Sequence, residues 1–303
     1  MVALPTIMDS FVVSLPQCSC THRAEPGASS CRYQVAWAIN PHMKIGAADS
    51  TKACAQHAGL VRALREAGAR VLRVPFLHAA YDSVFMKDSA ILVERDGRAR
   101  ALPTTFRHPE RRGESAARAR HLARAGFTLA PPLATALEGG DVHVVAHRGI
   151  ALLGHGVRSE RASSEGLSQF LGYGVIPLEL RDANLFHLDT ALTVLSDDTL
   201  VYCREAFTPA ALRTLEALRF RQLRAVSYLE ATRFSINVVE VRGAVVTGTE
   251  SEETAALWRS LGRRVITAPL DQFHLAGGSA ACLVSRLHPA PAPAPAGTAQ
   301  IAA

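Results

Sequence analysis

Lysine is almost missing from this sequence. Among 303 residues it stands only at Lys44, Lys52 and Lys87, so arginine carries nearly all the basic charge behind the net +6. The arginines are scattered through helical stretches beside Glu and Asp, and aromatic residues make up only 6% of the chain. A nucleic-acid surface needs clustered cations, so this charge reads as solvated surface and no nucleic-acid partner is expected. Long apolar runs are lacking too: none approaches the roughly 18 residues of a membrane span. The N-terminus, MVALPTIMDSFVVSLPQ, breaks its apolar stretch at Asp9 and has no basic lead-in, which makes a poor signal peptide. Cysteine is sparse and irregular. Six residues do not make a disulfide framework in a chain this long, and Cys18-x-Cys20 lacks a second ligand pair for zinc. Together these absences predict a cytoplasmic protein with reduced thiols, no membrane partner, and no metal or other cofactor.

What is present is ordinary for a globular protein with a sizeable core: 48% hydrophobic and 20% charged residues. Five helical patterns, at 51–68, 114–126, 161–174, 208–220 and 250–262, carry apolar residues at three- and four-residue spacing and cap signals at their ends. A short apolar strand follows each: ARVLRVP, FTLAPP, GVIPLEL, RAVSYLE and RRVITAPL. Hairpins are predicted around Arg148-Gly149, Asp197-Asp198 and Arg242-Gly243. The unit is therefore hairpin, helix, strand, recurring about every 45 residues, which points to a closed radial array rather than an open doubly wound sheet. CRYQVAWAINPHM (31–43) would supply the strand that closes the ring between the two ends. The expected organisation is an N-terminal extension and first-strand region over 1–30, one catalytic domain over 31–287, and a disordered Pro/Ala-rich tail over 288–303.

The loop after each single strand occupies the same place in every unit, so these loops should converge. In order they read YDSVFMKD, LEGGD, NLFHLD, ATRFSIN and FHLAGGSAAC. They deliver Asp82 and Asp88; Glu138 and Asp141; His187 and Asp189; Asn237 and Arg233; and Cys282. Each has a plain reading by itself, a lone buried Cys being structural more often than catalytic. Their shared position favours a site. Cys with His makes a nucleophile with an acid/base partner. Several carboxylates around a thiol would raise its pKa and make sense only around a cationic substrate. A planar guanidinium is the cation that paired carboxylates hold best.

The stretches FMKD (85–88), EGGD (138–141), HLD (187–189) and GGSAAC (277–282), in that order, resemble the signatures of the guanidino-group-modifying superfamily. That superfamily comprises dimethylarginine dimethylaminohydrolases, arginine deiminases and amidinotransferases. The resemblance covers about 31–287 and implies an α/β fold, a five-bladed ββαβ α/β-propeller (pentein fold) with pseudo-fivefold symmetry. It implies that Cys282 attacks the guanidinium carbon to form a thiouronium, that His187 protonates the leaving amine and then activates water, and that Glu138 orients His187. Asp88 and Asp189 would bind guanidinium nitrogens, Asp82 the substrate α-amino group, and Arg107 and Arg161 its carboxylate. HLD rather than HLK, and Lys87 where an acid is frequent, depart from the dimethylargininase form. The expected activity is C–N hydrolysis of arginine or an Nω-methylated arginine to citrulline plus ammonia or (di)methylamine. The partner is a small guanidino amino acid, and a homodimer remains open. An amidinotransferase, a non-catalytic guanidino-binding propeller, and a zinc hydrolase using His187, Asp189 and Cys282 are the alternatives.

Overall fold

The computed structural model describes residues 9–18 and 31–291. Its chain order opens with strand β1 (Ser10–Ser14), a helix over Ser50–Glu66 and strand β2 (Arg70–Val74). The hairpin β3 (Ala90–Arg95) and β4 (Arg98–Pro103) leads to a helix over Pro109–Arg124 and β5 (Thr128–Leu129). Three further units repeat the plan. They are β6 (Val142–Val145), β7 (Ile150–His155) and β8 (Gly174–Glu179); β9 (Leu192–Val194), β10 (Thr199–Tyr202) and β11 (Gln222–Ala225); and β12 (Val239–Val241), β13 (Ala244–Thr247) and β14 (Arg264–Thr267). In each, the first two strands pair antiparallel and the third joins parallel after a helix. The last strand, β15 (Val284–Pro289), returns to the beginning: it pairs antiparallel with β1 and parallel with β3. The fifth unit is therefore β15, β1 and β2, and five ββαβ units make up the pentein-type α/β fold.

Local chemistry explains the elements. Asp49 caps the helix Ser50–Glu66 by accepting the backbone N–H groups of Thr51 and Lys52, and Thr208 and Ser251 cap two others in the same way. The Arg242-Gly243 turn has φ of 46° and 75°, the paired left-handed residues that a tight two-residue hairpin requires. Buried apolar faces then lock the helices down: Leu60, Val61 and Leu64 of the first helix join a cluster with Tyr33, Phe85 and Phe273. Burying a side chain of this size contributes about 1.5–3 kcal/mol. Among the described residues, no helix is long and apolar enough to cross a membrane.

Three expectations shift. The closing strand is β1, not 31–43. Phe11, Val12, Val13 and Ser14 are all buried, as suits a strand flanked on both sides, whereas 33–43 forms irregular chain whose buried Tyr33 and Val35 only mimic alternation. The second helix starts at Pro109 rather than 114, because its inward face is Arg111, Glu114, Arg118 and Leu122, a helical stripe made mainly of charge. In RAVSYLE the strand β11 ends at Ala225, and Tyr228–Thr232 is a helical turn capped by Ser227. At the far end β15 runs two residues past 287, and of the tail, 292–303 lies outside the described residues.

Candidate active site

Each unit's first strand is preceded by a short helical turn, and the chemistry sits at those turns. Asp88 lies in Met86–Ser89 and Glu138 just before Gly139–Asp141. His187 precedes Leu188–Ala191, which contains Asp189. Asn237 follows Tyr228–Thr232, and Cys282 stands two residues before β15. Hydrogen bonds between turns hold them in register. The Asp141 carboxylate accepts the N–H groups of Leu188 and Ser159, both at 3.0 Å, and the N–H of Lys87 donates to the carbonyl of Cys282 at 3.1 Å. The EGGD glycines are required by close approach: a Cβ on Gly140 would stand 2.5 Å from His187 Nδ1 and 2.7 Å from Asp88 Oδ1. Gly277, at φ 86°, turns the last loop toward the site.

Asn237 templates the nucleophile loop. Its Oδ1 accepts the N–H groups of Ala281 (2.9 Å) and Cys282 (3.3 Å), while its Nδ2 donates to the carbonyl of Asp189 and stands 3.2 Å from Cys282 Sγ. Cys282 Sγ lies 3.4 Å from Asp189 Oδ2. Burial and then the charges of Asp189 and Asp88 push the thiol well above its usual pKa, so it rests protonated. His187 Nε2 and Glu138 Oε2 are 2.9 Å apart, and His187 Nδ1 is 3.6 Å from Asp88 Oδ1. Burial opposes a charged imidazole, but Asp88 and the hydrogen bond to Glu138 outweigh it and lift His187 to about 9. Burial likewise opposes the Glu138 carboxylate, yet His187 and Arg158 bring it down to about 2. The two groups form an imidazolium–carboxylate pair at neutral pH.

A narrow cleft brings Asp82, Asp88, Arg111, Arg158, His187 and Cys282 together. Asp189 stands behind Cys282, and Glu138 is fully buried behind His187. Two buried carboxylate oxygens, Asp88 Oδ1 and Asp189 Oδ1, have no hydrogen-bond partner among the described residues. Asp82 accepts the Trp37 indole N–H at 2.7 Å, and burial raises its carboxyl. The arginines fall differently from the sequence expectation. The side chains of Arg107 and Arg161 are exposed and do not line the cleft, although the N–H of Arg107 donates to Glu138 Oε1 at 3.1 Å. Arg158, three residues before Arg161, is buried instead. It donates to the carbonyl of Ile39 at 2.7 Å, stacks over Phe186 and faces Glu138 at 3.8 Å.

Arg111 is the second cation that sequence reading passed over. It binds Asp88 Oδ2 at 2.7 Å, both oxygens of Glu114 and the carbonyl of Asp82. Its signal was available in the charged stripe 111, 114, 118. A second cavity, about 450 Å³, is separate: Lys87, His143, Glu240, Arg286 and His288 line it, and it contains neither Cys282 nor His187. Burial drives both of those histidines strongly downward, so they are neutral there.

Comparison with known proteins shows the family and the fold. Residues 38–289 match the family described as N,N dimethylarginine dimethylhydrolase, eukaryotic. The N(G),N(G)-dimethylarginine dimethylaminohydrolase of Mycobacterium tuberculosis is 33% identical over 261 residues, which is 85% of this chain and 83% of that one. The bifunctional arginine dihydrolase/ornithine cyclodeaminase AgrE of Nostoc is 29% identical, and the match spans 84% of this chain but only 36% of that protein. Among solved structures, the N-terminal domain of ArgZ, a cyanobacterial arginine dihydrolase bound to product, superposes with a TM-score of 0.83 at 27% identity, covering 94% of this chain and all of that one. The same domain has been solved covalently bound to a reaction intermediate. A dimethylarginine dimethylaminohydrolase adduct shares the fold, with a TM-score of 0.70 at 20% identity over 93% of this chain and 100% of that one. The chain belongs to the dimethylarginine dimethylaminohydrolase family.

Proposed function

We propose that the protein hydrolyses the guanidinium group of arginine or an Nω-methylated arginine, giving citrulline plus ammonia or a methylamine. The observation that carries this reading is a buried thiol against Asp189 in a cleft that Asp88 also lines, each carboxylate keeping one buried oxygen with no hydrogen-bond partner among the described residues. Each needs an N–H donor, and a guanidinium supplies several in one plane. A cation placed there also offsets the charges that hold Cys282 protonated, so binding promotes thiolate formation and releases the thiol proton to solvent.

Cys282 Sγ then bonds to the guanidinium carbon. The His187 imidazolium gives its proton to the departing nitrogen as the C–N bond breaks, leaving a cationic thiouronium and a neutral imidazole. Water attacks the same carbon while His187 takes its proton. The C–S bond breaks, and citrulline leaves with the thiol and imidazolium restored. Glu138 keeps His187 oriented and basic enough for both steps. A free, reduced thiol suits a cytoplasmic setting.

For the amino-acid end, Asp82 takes the ammonium and Arg158 the carboxylate, with Arg107 closing from the rim beside Glu138. Purified protein is expected to form citrulline from arginine or methylarginine and to lose that activity on Cys282→Ser. A panel of arginine, mono- and dimethylarginine and agmatine identifies the leaving group and tests the need for a carboxylate. Citrulline formation that survives Cys282→Ser would overturn the mechanism.

A further inference from the structure

Away from the cleft, three donor side chains from distant parts of the sequence meet. Gln17 and Arg32 form an antiparallel bridge, and the N–H of Cys18 donates to the carbonyl of Cys31 at 2.9 Å, so two cysteines stand opposite each other on adjacent segments. His78 arrives from the segment after β2, and its Nδ1 is 2.9 Å from Cys31 Sγ. One donor atom from each of Cys18, Cys31 and His78 lies within 4.8 Å of the other two. The residue behind the imidazole, Ala79, is held at φ 59°. A side chain with a Cβ adopts that left-handed conformation at a cost of about 1 kcal/mol or more, and such strain persists only where the surroundings fix it.

We propose that Cys18, Cys31 and His78 form a zinc site, separate from the catalytic cysteine and structural in role. Two thiolates and an imidazole are borderline-soft donors, which favour zinc over the hard cations that require oxygen. Donor atoms around a tetrahedral zinc, with bonds of about 2.0–2.3 Å, sit about 4 Å or less from one another, a spacing these three reach with small side-chain rotations. Among the described residues, Cys18, Cys31 and His78 supply three of the four positions of a tetrahedral zinc. The sequence hides the set because the spacings 18, 31 and 78 fit no short ligand motif.

The consequence lies next to the cleft. Cys31 is six residues before Trp37 and His78 four before Asp82, and the Trp37–Asp82 hydrogen bond joins those two segments at the cleft wall. A metal tying Cys31 to His78 fixes the same two segments a second time. That consequence rests on the proposed role of Asp82; the site itself does not.

Zinc content is measured by elemental analysis on full-length protein purified under reducing conditions, and affinity by competition with a chromogenic chelator. Replacement with Co(II) gives thiolate-to-cobalt charge-transfer absorption. One zinc per chain is expected in the natural protein, in Cys54→Ser and in Cys282→Ser. Cys18→Ser, Cys31→Ser and His78→Ala each weaken binding beyond the roughly 10–100-fold typical of outer-shell changes. His78→Cys, which keeps a donor, retains the metal and serves as the folding control. The proposal fails if zinc does not bind the reduced protein, if binding survives loss of all three side chains, or if Cys18 and Cys31 are disulfide-linked under cytosol-like reductant. None of these readouts depends on turnover, so failure here leaves the hydrolase reading standing, and the reverse.

Discussion

Cys203 and Cys282 are both buried thiols in units of the same design, yet their surroundings suit them to opposite tasks. Cys203 follows β10 in a cluster with Leu188, Ala191 and Phe207, and its Sγ donates to Glu205 at 3.2 Å. Burial and then Glu205 push it to about 12. Burial and then Asp189 push Cys282 well above its usual range as well. A raised pKa therefore does not separate the two. What separates them is how the raising can be undone: Cys282 lines a cleft that it shares with Asp88 and where a cation can enter, and Cys203 lines no such cleft, its Sγ already bonded to Glu205.

The sharpest break of that comparison is substitution. Cys282→Ser is expected to lower kcat by about 10⁴-fold or more, whereas Cys203→Ala leaves kcat within about twofold and costs on the order of 1 kcal/mol in stability, read by denaturant unfolding. Next in size is His187→Asn, expected to lose about 10²–10⁴-fold in kcat, measured by citrulline release. Asp189→Asn should cost about 2–5 kcal/mol in kcat/KM by leaving the guanidinium without its partner. The same variant removes one of the charges that raises Cys282, so iodoacetamide labels Cys282 faster at a given pH while Cys203 labelling stays unchanged; equal labelling of Cys282 before and after would break the electrostatic account. The smallest effect is on stability. His187 is raised to about 9 in the folded protein, so its contribution is complete below its ordinary pKa near 6.5 and is lost as pH rises through about 9. Melting temperature should fall across that window, and His187→Asn should flatten the fall.

Much of this could be read from residues whose local pattern agrees with their role. The three hairpin turns appear where Arg148-Gly149, Asp197-Asp198 and Arg242-Gly243 place them, and the helices other than the second lie near where their apolar spacing predicts. Those signals are short-range. The readings that shifted depend on contacts between distant segments. β1 closes the ring because β15 comes back to it. Arg158 rather than Arg161 enters the cleft because β7 ends just before it and the chain then turns at Gly156 toward Ser159. Asn237 reads as an ordinary amide until its four hydrogen bonds to Asp189, Ala281 and Cys282 on two other loops are seen. Arg111 was masked by a rule that holds elsewhere in this chain, that buried helix faces are apolar.

The return of β15 to β1 also governs when the enzyme can exist. The strand that anchors the nucleophile is among the last parts of the described chain to be made, and its partners are β1 and β3, separated from it by most of the sequence. Contacts of such long range form late and slowly. The loop that carries the thiol is thus the last of the five site loops to be synthesised.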